Sequence, residues 1–349
     1  MTPGLTTTPS APSRPFPLTR NLTASSRTKH PTFYLPDGTL LLSLHPHIFK
    51  IHKSLLTRHS QVLDKWIIEA TDPKAMDLVQ FVDGRGLSVV DLPGDMKGRV
   101  GGGDFERLMG VMYHDSPLNS QTPFPTLASL LRITSPSQFH IPTINDRAKD
   151  YLSRMYHGGP DPFAHQHPQE HLEDALELAM NFDVGVETKK ALLYSVATTD
   201  YDPTGAHDPS SPPHPDPSPD PPSTTTTHHT SPLSPPTIRT LHRIHQSLIS
   251  TFTPLLFTVG ATSHMECTDI VADRWMERVI SPALADGGVS RPLESLQRMA
   301  DVDWEAEGVC KPCANEMREQ WAQERGRVWR GEGRWAEWVG EIEVKEREP

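Results

Sequence analysis

The chain has 349 residues, 35 of them proline, with 36% apolar residues and a formal net charge of −11. That length can bury two modest cores, but so much proline predicts stretches that bury nothing. The acidic balance leaves no Lys/Arg stripe to displace counterions from phosphates, which argues against nucleic acid as a partner, and no apolar run approaches the about 20 residues needed to cross a membrane.

Residues 1–31 are Thr, Ser and Pro with scattered cations, too poor in apolar side chains to offset ordering entropy, and predict a disordered tail. Arg14, Arg20, Arg27 and Lys29 ahead of the first acid, Asp37, have the flavour of a mitochondrial transit segment. Pro3, Pro9, Pro12, Pro15 and Pro17 break the amphipathic helix such a segment needs, so a plain tail is the better reading. Leu40, Leu42 and Leu44 then share one parity, and after His45-Pro46-His47 a second short run goes from Ile48 to Ile51. The pattern predicts a hairpin. Ser54 is placed to cap a helical turn with Leu55 and Leu56, and Ser60 to cap a second helix with Val62, Leu63, Trp66 and Ile67.

Alternating leucines, then Phe49-x-Ile51-His52-Lys53-Ser54-Leu55-Leu56, then Arg58-His59-Ser60 before another apolar helix, resemble the opening of the BTB/POZ domain as found in fungal (basidiomycete-type) proteins. Phe49, His52, Lys53, Leu56 and Ser60 match recurring positions of that family. The resemblance implies an α+β chain: a BTB/POZ fold over 32–156, with a small three-stranded sheet flanked by helical hairpins, followed by an all-helical C-terminal extension.

Thr71 to Arg85 mixes Asp72-Pro73 with Asp83-Gly84 and reads as an irregular insertion. Gly86 to Pro93 is short, β-branched and bounded by Gly and Pro, which predicts the third strand. Its Asp91-x-x-Gly94 also spells a GTPase switch motif, but no Gly-rich phosphate loop with Lys-Ser/Thr accompanies it. Asp104 is placed to cap a helix bearing Phe105, Leu108, Met109, Met112 and Tyr113, after a loop through Gly101 to Gly103. The stripes Leu127-Leu130-Leu131-Thr134 and Ile144-Ala148-Tyr151-Leu152-Met155, the second behind a Thr143 cap, make one helical hairpin. In BTB domains such a hairpin has an aromatic-x-aliphatic joint, which Phe139 and Ile141 match.

Over 157–200 a second hairpin echoes the first: Leu172, Ala175, Leu176 and Ala179, then Phe182-Asp183-Val184, then Ala191, Leu192, Ser195 and Val196. His165, His167 and His171 lie in a Pro-bearing loop that fixes no metal geometry. Residues 201–237 form a Pro/Ser/Thr-rich disordered linker, read as an extrusion from a helical region because apolar spacing resumes at Ile238, Leu241, Ile244, Leu248 and Phe252. The helical region over 238–342 goes on through Val271, Trp275, Met276 and Val279 behind Thr268, through Leu293, Leu296 and Met299 behind Pro292, and through Met317, Trp321, Val328 and Trp335.

All three cysteines fall in one candidate site. His264-x-x-Cys267 and Cys310-x-x-Cys313 have the spacing that lets each pair converge on one zinc, a closed structural site with no open catalytic position. Free buried thiols packed between helices explain the same residues. An odd cysteine count, with no hydrophobic signal core, predicts an intracellular protein of cytoplasm or nucleus rather than a disulfide framework.

No catalytic residue is assigned, since nucleophile elbow, phosphate loop and HExxH are all missing from the sequence. The BTB resemblance implies instead protein–protein interaction: association with itself and, in many members, service as an adaptor of a cullin-3 ubiquitin ligase, with His114 and Asp115 at the candidate interaction surface. The family's swapped dimer uses a helix and strand ahead of the core, a place held here by Pro/Thr-rich sequence. A BTB-type transcriptional regulator and a zinc-dependent hydrolase at His264, Cys267, Cys310 and Cys313 are the rival readings.

Overall fold

A computed structural model describes residues 28–70, 89–91, 100–157, 170–199, 233–331, 334 and 337–340. The described residues are mixed α+β and mostly helical, with one four-stranded sheet. Two compact units divide the chain, Met1–Glu106 and Arg107–Pro349.

The first unit is organised by a hairpin. Strand β2 (Leu40–Leu44) pairs antiparallel with β3 (His47–Ile51), from Leu40 opposite Ile51 to Leu44 opposite His47. Alternation of the leucines predicts a strand buried on one face, yet all five residues of β2 are buried, Leu41 and Ser43 included. The reason is its central place: β4 (Val89–Asp91) runs parallel along its other edge, and central strands take apolar residues on both faces.

The expected three strands become four. β1 (Thr28–Tyr34) pairs parallel with β3, so ordered strand begins where composition predicts a disordered tail to residue 31. Its register shifts between Lys29 and Tyr34, around Pro31, which has no N–H to give the ladder. Two inward side chains hold it. The buried His30 ring stacks on Phe33 and Phe49, at centroid distances of 5.4 and 4.5 Å, and its Nδ1 accepts the backbone N–H groups of Thr32 and Phe33.

Helix α1 (Lys53–His59) starts directly after His52, which puts Ser54 inside its first turn instead of at its cap. Ser60 does cap: its Oγ accepts from the Leu63 N–H at 3.0 Å and opens α2 (Gln61–Ala70), which buries Leu63 and Ile67. The Thr71 to Arg85 insertion lies outside the described residues. Helix α3 (Gly102–Met112) begins two residues before the predicted Asp104 cap. A Cβ at Gly102 would stand 3.2 Å from the His45 carbonyl oxygen, so glycine allows the helix to start close against the hairpin turn. Asp104 reaches back to the Gly101 N–H at 3.3 Å, and Phe105 meets Phe49 edge to face at 4.9 Å.

The second unit is helical among its described residues. α4 (Phe124–Ile133) and α5 (Pro142–Met155) form one hairpin, α6 (Leu172–Asn181) and α7 (Val186–Thr198) another. Their joints are alike in backbone as well as sequence: His140 and Asp183, each between an aromatic and an aliphatic residue, both adopt positive φ, 47° and 51°. Phe139, Ile141 and Val184 are buried at these joints, which ties each turn to its core. Pro142 takes the first helical position of α5, where no N–H is needed, so the predicted cap Thr143 falls inside the helix.

Helix α7 is buried nearly all round, Lys189 and Lys190 included. Lys189 Nζ lies 3.7 Å from Asp183, and Lys190 Nζ sits 4.3 Å from the centre of the Trp329 ring. α8 (Pro235–Leu256) packs on α7, with His245 Nδ1 donating to the Ala197 carbonyl at 2.8 Å. The helices that flank residues 200–232 are therefore direct neighbours. Ser234 Oγ accepts from the Thr237 N–H, and Pro235 and Pro236 occupy the first turn, so helix replaces the linker three residues before its predicted end at 237.

α9 (Met265–Trp275) passes through a π-helical turn, Met276–Ile280, into α10 (Ser281–Ala285), and α11 (Pro292–Asp301) and α12 (Lys311–Arg330) pack together as the last hairpin. Tyr194 stitches α7 to α11: its buried hydroxyl donates to Glu294 at 2.6 Å and accepts from the Leu293 N–H. Burial and that carboxylate push the phenol well above its ordinary pKa.

Candidate metal centre

The two sequence-predicted pairs are brought together at the starts of two helices. His264 is the N-cap of α9 and Cys267 its third residue; Cys310 is the N-cap of α12 and Cys313 its third residue. Residues at these two positions face each other across the first turn, the geometry that a capping box exploits. Neither N-cap side chain caps its own helix. Each is thus free of that task and points its donor atom toward the other pair.

The four donor atoms, one imidazole nitrogen and three sulfurs, all lie within 4.8 Å of one another. His264 Nδ1 is 3.2 Å from Cys310 Sγ and 3.5 Å from Cys313 Sγ. Ligands on a tetrahedron with arms of about 2.0–2.3 Å stand about 3.5 to 3.8 Å apart, so a small adjustment, the longest separations closing and the shortest opening slightly, fits this set around one ion. Cys267 and Cys313 are buried, Cys310 is partly exposed and His264 exposed. The group can hold a metal ion.

Its surroundings hold the two helix starts in register. Glu316 of α12 accepts from both the N–H and the hydroxyl of Ser263, at 3.3 and 2.6 Å, just before α9. The Thr268 hydroxyl, predicted as a cap, instead accepts the Thr262 N–H at 3.1 Å. Arg274 and Arg278 both reach Glu307, at 3.2 and 2.6 Å, in the segment ahead of α12. The amino ends of α9 and α12 add partial positive charge beside the sulfurs.

The thiols differ in acidity. Although burial raises the Cys313 pKa, hydrogen bonds with Cys310, the His264 backbone, Thr262 and Cys267 hold it below the ordinary thiol value. At Cys310 the backbone N–H of Cys313 acts to lower it, but burial and the neighbouring Cys313 and Cys267 sulfurs outweigh that and leave it raised.

A tryptophan cluster lies about two turns along the same helices, at the end of α9 and the middle of α12. Trp275, Trp304 and Trp321 have ring centroids 6.0 to 6.4 Å apart, and Trp304 is fully buried, its Nε1 donating to the Met299 carbonyl at 3.0 Å. Sequence periodicity finds Trp275 and Trp321 but passes over Trp304, which sits in the connection between α11 and α12 where no helical repeat marks it.

The other sequence candidates stay apart from this centre. His114 and Asp115 are exposed just beyond α3, with His114 at φ 65°. His171 stacks on Phe124 at 5.1 Å and pairs with Asp174, while His165 and His167 lie outside the described residues. His52 Nε2 lies 3.3 Å from Asp37, whose carboxyl pKa is lowered first by a hydrogen bond from the Asp37 backbone and then by this contact. Trp335 also lies outside the described side chains.

Fold and site together define a mostly helical α+β chain with a small sheet and a His/Cys3 group able to hold a metal. No family model, no curated protein and no solved structure matches it. No described helix is long and apolar enough to cross a membrane.

Proposed function

We propose that the chain is a protein-interaction module of the BTB/POZ kind whose helical extension is fastened by a structural zinc ion. The observation that carries the first half is the order of elements: a buried hairpin, two short helices, a returning strand parallel to β2, then α3 and two helical hairpins with matching joints. That is the order the sequence resemblance implies. Phe49, Leu56 and Ser60, three of its signature positions, respectively meet the Phe105 ring, fill the core and cap α2. In this reading the exposed His114-Asp115 corner belongs to the surface that meets protein partners, a second copy of the chain or a cullin-3 scaffold. β1 is already paired with β3 of its own chain.

The second half rests on donor chemistry. Three thiolates and an imidazole are the soft N/S set that zinc takes in tetrahedral structural sites, and four protein ligands leave no position for a substrate water. His264 and Cys267 would hold the ion from α9, Cys310 and Cys313 from α12. The metal supplies a cross-link; its chemistry is mechanical. Affinity purification of the tagged full chain with mass spectrometry tests the interaction reading. A reproducible protein partner, lost on charge reversal at Asp115 but not on mutation of exposed residues of α12, supports it; recovery of the chain alone, monomeric in sedimentation, contradicts it.

A further inference from the structure

We infer that Cys310 and Cys313 form a peroxide-reactive modification site, at which hydrogen peroxide converts the two thiolates to a disulfide and releases the metal. This rests on the zinc reading above. Among the three sulfurs only Cys310 is partly exposed; Cys267 and Cys313 are buried. An oxidant from solvent therefore meets Cys310 first. The resolving thiol stands ready: Cys313 is three residues on, in the same first turn of a 20-residue helix, with its sulfur inside the same 4.8 Å group. An accessible cysteine poised beside a resolving one is the arrangement of redox-sensing thiols. Held on the metal both sulfurs are thiolates, and the partly exposed one is the one an oxidant reaches.

The chemistry balances in two steps. The Cys310 thiolate attacks one oxygen of hydrogen peroxide, the O–O bond breaks, and hydroxide leaves a sulfenic acid on Cys310. The Cys313 thiolate then attacks that sulfur, the S–O bond breaks and a second hydroxide departs. Two electrons have passed from the thiolates to the peroxide, and the hydroxides take protons from solvent to become water. The ion keeps His264 and Cys267 only, too few ligands to hold it. Nothing in this reaction breaks the Trp275–Trp321 contact or the Arg274 and Arg278 bridges to Glu307, so the two helices stay associated as the clamp opens.

The test uses the full chain, purified under reducing conditions and assayed first for bound zinc. Hydrogen peroxide is then added with a chromogenic zinc chelator present, and peptide mapping by mass spectrometry follows. The expected result is one zinc released for each Cys310–Cys313 disulfide formed, reversed when a thiol reductant and zinc are returned. Zinc release with sulfinic acids in place of the disulfide, a disulfide to Cys267, or zinc retained while a free-thiol control is oxidised would each overturn the inference and leave the zinc clamp standing. A reduced chain that binds no zinc overturns the clamp itself, and the inference with it.

Discussion

Trp275 and Trp321 lie with ring centroids 6.4 Å apart, and each stands eight residues beyond a cysteine of the metal centre, Cys267 on α9 and Cys313 on α12. The two helices thus meet twice, at the His/Cys3 group at their amino ends and at the indoles about two turns on.

Metal removal should accordingly be visible in tryptophan fluorescence. Chelation of the zinc-loaded chain is expected to shift the emission and lower the thermal midpoint, with a stability loss of about 4 kcal/mol if free zinc had stood at about 1,000 times its dissociation constant. Cys313→Ala should give the chelated spectrum without chelator. An emission spectrum and midpoint indifferent to chelator would remove the cross-link.

In the first unit the hairpin core depends on Phe49 and Leu56, both with no exposed surface. Phe49 touches the rings of His30 and Phe105 from one position. Phe49→Ala is expected to cost about 3–5 kcal/mol and Leu56→Ala about 2–5 kcal/mol in urea denaturation. Unfolding midpoints equal to those of the parent chain would contradict the packing.

His30 gives the same unit a pH dependence. Burial, reinforced by His47 and opposed by Glu106, lowers its pKa below the ordinary value of 6.5. Protonation would also cost Nδ1 the two backbone N–H groups it accepts. Since the unfolded chain takes up the proton first, this contribution to stability is complete above about pH 6.5 and is lost as pH falls toward the folded-state value. Chemical denaturation between pH 8 and pH 5 should show stability falling on the acid side, and His30→Phe should flatten the slope. An equal slope in the variant would assign the dependence to other groups.

Much of this architecture is legible in the sequence. Leu127, Leu130 and Leu131, or Leu293, Leu296 and Met299, declare buried faces because helical spacing survives any context, and two i,i+3 ligand pairs declare a common centre. Helix starts are less legible. Ser54, Asp104, Thr143 and Thr268 have capping chemistry but lie within helices: a glycine two residues earlier or a proline one residue earlier sets the first turn at Asp104 and Thr143, the chain direction out of β3 sets it at Ser54, and at Thr268 the helix starts behind His264 while the hydroxyl bonds Thr262. β1 escapes detection because Thr28–Tyr34 has no strict alternation and carries Pro31; its order comes from His30 and Phe33 finding partners distant in sequence. Trp304 is hidden for the same reason: its burial is tertiary.

Helices α7 and α8 pack directly on each other, so most of the tract between them should be dispensable. Deletion of residues 203–231 with a short Gly/Ser bridge is expected to keep the helical circular dichroism and leave the thermal midpoint no lower, since loop-closure entropy varies only logarithmically with length. The deletion must spare Ser234, whose capping of α8 is worth about 1 kcal/mol. Loss of the cooperative transition would show that the tract packs.

The proposed interaction function is tested most directly by calorimetric titration of the folded full chain with cullin-3, alongside sedimentation of the chain alone. The account predicts a saturable complex or a self-associated chain, weakened by exposed changes at His114 and Asp115 that leave the circular dichroism and thermal midpoint unchanged. A chain that stays folded and monomeric at every concentration, and gives no heat with cullin-3, would contradict it.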